Sequence, residues 1–154
     1  MLTLEQKACN YETMRHIENV RNFINKFIDE LLIRGELHDQ SKMESPEVEL
    51  FTEVTEKLKG LTYGSPEYKE SLKFLGPALE HHYAKNRHHT EHFPNGINDM
   101  TLIDLVEMFC DWKAATLRHD DGNLLKSIEH NSIRYNLSPQ LTKILQNTAG
   151  VFDN

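Results

Sequence analysis

The chain of 154 residues carries 17 Lys and Arg against 24 Asp and Glu, a formal net charge of −7. That length suits one domain, 1–154, with one core that buries about two thirds of the surface exposed by the unfolded chain. The acidic balance excludes a sequence-independent grip on nucleic acid backbone unless charge is locally segregated, as around Lys85, Arg87 and Lys113; a small anionic substrate would need a local cation. No run of 18 apolar residues is present, and the start MLTLEQKACN lacks a basic, apolar leader, so the expectation is a cytoplasmic protein with no membrane partner. Cys9 and Cys110 stand alone, which argues against a disulfide scaffold. Histidine is the unusual residue, nine in all, with five between residues 81 and 92.

In chain order the pattern reads as helices near 3–9, 11–34, 46–59, 66–89, 101–119, 123–135 and 139–148, an all-α bundle of six or seven helices with no strand-like alternation. Ser-Pro at 45, 65 and 138 marks three helix starts, because serine accepts from orphan amides and proline at the first helical position gives up no needed donor. Gly35 and Gly60 fall where helices of ordinary length should stop. Thr101 and Asp104 have the spacing of a capping box at the start of the fifth helix. No internal repeat or linker divides the chain.

Polar residues then fall into place on these helices. Met14, Ile17, Val20, Ile24, Phe27, Ile28 and Leu31 form a core-facing stripe, and His16 borders it. On the next elements GELHDQSK sets His38 beside Asp39, and the apolar spacing directs one of His81 and His82 inward. If that helix runs on, His88 and His89 repeat those directions seven residues later. Asp104, Glu107 and Asp111 flank the apolar face of Leu102, Leu105, Val106, Phe109 and Trp112. Taken one by one, each has an ordinary reading: a hydrogen-bonded core histidine, a cap at Asp104, a solvated Glu107. Together, several uncompensated Asp and His groups from four segments near one core are costly unless paired or bound to metal.

The order His16, then His38-Asp39, then His81-His82, then Asp111 on a late helix resembles the HD-domain metal-dependent phosphohydrolases, which are named for the His-Asp pair. HDQSK is similar to the HDxGK segment of HD-GYP cyclic dinucleotide phosphodiesterases, with Ser41 in place of glycine, and EMFCDWKAAT resembles the helix whose Asp closes the HD metal site. HHYAKNRHHTEHF and LIDLVEMFCDW look like a narrower family of small HD-related phage and bacterial proteins. The resemblance implies an HD-like helical fold and metal ligands His16, His38, Asp39, Asp111 and His82, with His81 as the alternative to His82. It further implies one or two divalent ions (Mn, Fe, Co, Mg or Zn) and a small phosphorylated substrate, a nucleotide foremost. Asp39 would hold the ion and orient water, Lys42 and Arg87 would neutralise phosphate, and His88 and His89 would be further ligands or phosphate contacts. Two departures count against cyclic dinucleotide activity: His88 lies only six residues past His82, and no GYP tripeptide is present.

Imidazoles and carboxylates suit such ions, which activate water and polarise a phosphoryl group. Adjacent residues diverge by about 100° on a regular helix, so a break at Gly35 is expected to let His38 and Asp39 converge. Tyr83, Phe93 and Trp112 are candidates to stack on a base. The competing reading is a catalytically silent HD-fold module that binds metal, nucleotide or a protein; a homo-oligomer fits either.

Overall fold

The structure is a computed structural model, and it describes residues 1–58, 66, 70, 73–118 and 122–152. Six α-helices stand among the described residues, with no strand: α1 Leu4–Leu37, α2 Glu47–Leu58, α3 Gly76–Lys85, α4 Leu102–Thr116, α5 Leu124–Arg134 and α6 Pro139–Thr148. The protein is all-α. By its contacts the chain divides into two units, Met1–Glu36 and Leu37–Asn154.

The N-terminal unit is α1. Thr3 opens it: its Oγ1 accepts from the Gln6 amide at 3.2 Å while Gln6 Oε1 accepts from the Thr3 amide at 2.9 Å. The helix runs through Asn10 and Gly35 without a stop, joining the two helices expected at 3–9 and 11–34. A helical glycine costs only about 1 kcal/mol relative to alanine, which strong helix formers on both sides absorb. None of its residues is buried, and the stripe expected to face a core, Ile17, Val20, Ile24 and Phe27 among it, is exposed.

In the C-terminal unit the chain leaves α1 by way of Asp39, whose backbone is left-handed at φ 57°, a conformation that aspartate tolerates better than most residues. The helix therefore ends at Leu37, two residues beyond Gly35, and the left-handed residue is Asp39. A 3₁₀ turn, Gln40–Met43, leads into α2, which begins at Glu47 just after Pro46. Val54 of α2 packs with Leu75 and Ala78 of the α3 region to form one small core. Met108, Phe109 and Trp112 of α4, Leu124 and Ile128 of α5, and Leu137 and Leu145 at α6 form a larger one. Ile128 of the larger core and Ala78 of the smaller are fully buried.

Caps fix the helix starts of the second core. Thr101 and Asp104 form the expected capping box, Asn123 Oδ1 accepts from the Lys126 amide, and Ser138 Oγ accepts from the Leu141 amide one residue before Pro139. These give α4, α5 and α6 within three residues of expectation. Asp104 is thus a cap, with a further role: it is fully buried and accepts two bonds from the Arg87 guanidinium, both 3.1 Å. The expected 66–89 helix ends early. Residues 66, 70 and 73 are helical, a turn at Phe74 and Leu75 interrupts the course, and α3 then stops at Lys85, with Asn86 extended at φ −113° and ψ 108°. Ser65 and Gly60 lie outside the described residues.

Candidate metal centre

The early end of α3 builds the site. Asn86 Nδ2 donates to the His82 carbonyl at 2.8 Å and to Ser41 Oγ at 2.7 Å, capping α3 and tying it to the turn after Asp39. The chain then doubles back, so His88 and His89 return toward His82 instead of continuing down a helix. Ligand atoms of Asp39, His82, His88 and His89 lie within 4.8 Å of one another, as do those of His38, His88 and Glu107. His82 is 2 % exposed and His88 1 %.

The ring nitrogens divide into two sets. His82 Nδ1 lies 2.9 Å from Glu47 Oε2, and His81 Nδ1 lies 2.7 Å from Glu47 Oε1. A carboxylate only accepts, so both Nδ1 atoms donate and the lone pair of neutral His82 is left on Nε2. That Nε2 faces Asp39 Oδ1 at 3.3 Å and His89 Nε2 at 2.9 Å. In the same way His38 Nδ1 donates to Glu107 Oε1 at 2.9 Å, leaving its Nε2 toward Asp39 Oδ2 at 3.6 Å and Asp111 Oδ1 at 3.8 Å. His88 Nδ1 is 3.1 Å from the same Glu107 oxygen, and its Nε2 is 3.5 Å from Asp39 Oδ1. Glu47 and Glu107 thus anchor the far side of the rings while the Nε2 atoms converge on Asp39. Carboxylates behind metal-ligating imidazoles fix tautomer and orientation in this way.

Asp39 divides its oxygens. Lys42 Nζ donates to Oδ2 at 2.6 Å, whereas among the described residues buried Oδ1 and both ring nitrogens of His88 make no hydrogen bond, their nearest opposite charges standing at 3.1–3.5 Å as ion-pair contacts only. Burying such atoms unpaired costs about 1–3 kcal/mol each. Two ligands of one ion, each bonded at about 2.0–2.2 Å, sit roughly 3.0–3.5 Å apart, and these separations fall in or beside that range. The donors therefore fit a divalent cation.

Charge divides the two sets: without an ion His38 is a cation whose Nε2 carries a proton toward Asp39 and Asp111, a proton an ion there would displace, whereas His82 and His89 are neutral. The Asp111 carboxylate and then Glu107 push the His38 pKa up to about 10. Burial, then the neighbouring His88 and His82 rings, pushes His89 down to about 3, so it is neutral and free to donate a lone pair. Burial also lowers His82, reinforced by Lys42. Burial raises Asp39 and Asp111, but Lys42 on the first and His38 on the second outweigh it, and both stay below the usual carboxylate range.

Of the residues expected from sequence, His38, Asp39, Lys42, His82, His88, His89 and Asp111 come together here. His81 is half-exposed and shares Glu47 with buried His82. Arg87 is turned onto Asp104 and lies 4.8 Å from the Phe93 ring, a structural ion pair where a phosphate contact was expected. His16 belongs to the N-terminal unit, exposed on α1, and both ligand groups are drawn from the C-terminal unit. Glu107 is not the solvated carboxylate expected: its side chain is 9 % exposed and holds His38. Glu47, fully buried, was missed, since a glutamate opening a helix after Ser-Pro looks like any first-turn acid.

A family model of unknown function, DUF5662, matches residues 5–151. The chain belongs to the DUF5662 family. No curated protein and no solved structure matches it. The matched span takes in every residue of the DUF5662 chain's metal-ligand groups.

Proposed function

We propose that this chain is a divalent-metal-dependent phosphohydrolase of the HD type, acting on a small phosphate ester with nucleotides the foremost class. One observation carries the reading: among the described residues buried Asp39 Oδ1 and the His88 ring nitrogens lack hydrogen-bond partners while the His82 and His89 Nε2 atoms converge beside them. Asp39, His82, His88 and His89 are the residues to hold an ion, with His38 and Asp111 at the adjoining edge, where a second ion is accommodated.

A bound divalent ion supplies an acidified water and polarises a phosphoryl oxygen. The chain's own residues do the rest. Glu47 and Glu107 keep the imidazole lone pairs turned inward, sparing the reorganisation that loose rings would cost. Lys42 neutralises Asp39 Oδ2 and, with its side chain 38 % exposed, presents positive charge where a phosphate oxygen arrives. Neutral His89 and buried His88 would each offer a lone pair to an ion.

The test is turnover of p-nitrophenyl phosphate and of nucleoside mono-, di- and triphosphates by protein reconstituted with Mn, Co, Mg or Zn. Hydrolysis of at least one ester, abolished in a folded Asp39→Ala variant, is the expected result. A folded, metal-loaded protein that hydrolyses none of them overturns the reading and leaves a binding module.

A further inference from the structure

A cavity of about 240 Å³ opens directly against the centre. His88, His89 and Asp111 form one side; Ser127, Asn131 and Arg134 of α5 form another, with Trp112 in the wall. One cavity thus joins the candidate ion ligands to a hydroxyl, an amide and a guanidinium on a different helix.

The polar groups on α5 are under-used. Asn131 Nδ2 makes only a long bond of 3.4 Å to Ser127 Oγ, and Asn131 Oδ1 has no partner among the described residues. Arg134 stacks 4.8 Å from the Tyr135 ring and reaches Glu91 at 3.3 Å, which holds its guanidinium at the cavity rim with donors to spare. Unspent amide, hydroxyl and guanidinium groups in a part-buried cavity suit a polar organic group bearing hydroxyls or ring nitrogens. Size narrows the class further. Pockets for drug-sized ligands run to about 300–1,000 Å³, so this one matches a sugar or a nucleoside in size.

We propose that this cavity is the leaving-group pocket: it receives the sugar- or nucleoside-sized polar part of a phosphomonoester whose phosphate lies at His88, His89 and Asp111, and Asn131 selects that part by hydrogen bonding. The inference rests on the phosphohydrolase reading. In the reaction the bond between phosphorus and the ester oxygen breaks, a bond from phosphorus to a water oxygen forms, and a water proton ends on the departing alcohol. Inorganic phosphate and the free sugar or nucleoside leave.

Trp112 is the only tryptophan in the chain and lines the cavity, so its fluorescence reports occupancy without turnover. The as-purified protein is mixed rapidly with ribose 5-phosphate, adenosine 5′-monophosphate and a cyclic dinucleotide, beside an Asn131→Leu variant. A saturable change with at least one of the two monophosphates, weakened 10-fold or more by Asn131→Leu, and none with the dinucleotide, is expected. No change with either monophosphate, equal responses from the two proteins, or a response to the dinucleotide overturns the pocket assignment. Ser127→Ala, a milder change, serves as the second variant should Asn131→Leu fail to fold, with weaker monophosphate binding expected and an unchanged response overturning the assignment. Hydrolysis of p-nitrophenyl phosphate and of the nucleotides is read separately: turnover of any of them without the fluorescence response fails the pocket alone, and turnover of none fails the parent reading.

Discussion

Replacing Glu47 with glutamine keeps the shape of a buried side chain and removes its charge. The carboxylate accepts from His81 Nδ1 at 2.7 Å and His82 Nδ1 at 2.9 Å. Glutamine retains one acceptor oxygen and turns an NH₂ donor toward the second imidazole N–H. One charge-assisted bond is lost, about 1.5–3 kcal/mol, or His82 changes tautomer and carries its proton on Nε2. Either way the Nε2 lone pair facing Asp39 is no longer held in place. At about 1.4 kcal/mol per tenfold, the expected weakening of metal affinity is roughly 10–100-fold. Chelator competition with Zn or Mn gives the dissociation constant, and thermal melting of the metal-free protein tells lost stability from lost affinity. A folded Glu47→Gln protein that binds metal as tightly as the parent refutes the assignment of Glu47 as the orienting carboxylate.

Three further outcomes follow from the same geometry. Arg87→Ala removes both bonds to buried Asp104, which keeps its contacts to Thr101, so about 1–3 kcal/mol of stability is lost and the melting temperature falls by roughly 2–10 °C while metal stoichiometry holds. Lost metal instead would show that Arg87 serves the centre. In metal-free protein His38 is raised from 6.5 to about 10, chiefly by Asp111 and then Glu107. A folded value above the unfolded one gives stability that is full below about pH 6.5 and lost as pH rises through about 10; the metal-free melting temperature falls over that window, less so in His38→Gln, and equal profiles contradict the pairing. Glu107→Gln, which leaves His38 with one acceptor in place of a carboxylate, lowers metal affinity about 10-fold or more by competition assay, and no change would reduce Glu107 to a packing residue.

Helix type and most helix starts were legible because their determinants are local. Thr101 with Asp104 and Ser138 with Pro139 announce α4 and α6 within a few residues of their caps. The His38-Asp39 pair, His82 and Asp111 were legible as candidates because acidic and imidazole groups bordering apolar faces need compensation. What escaped the sequence is long-range or depends on where the chain turns. Glu47 meets His82 across 35 residues, and Glu107 meets His38 across 69, so no local pattern marks either. The stop at Lys85 hinges on Asn86 reaching Ser41, 45 residues away, and without that stop His88 and His89 read as further turns of one helix. Gly35 misled for a different reason: its helix cost is small enough for its neighbours to override, and the helix ends instead just before Asp39, whose left-handed backbone no glycine announces. The stripe on α1 is a sound helical pattern, but periodicity says which side of a helix is apolar and not what covers it.

Metal content of the protein as purified, by mass spectrometry, beside a folded Asp39→Ala, His82→Ala double variant, bears on everything argued from the converging Nε2 atoms. Roughly one or two divalent transition ions per chain in the parent, and a loss of them in the variant, is the outcome expected of a buried imidazole–carboxylate centre. Negligible metal in both, persisting after reconstitution with Mn, Co, Mg or Zn, would mean that the orphaned atoms of Asp39 and His88 serve no ion, and the phosphohydrolase reading would fall with it.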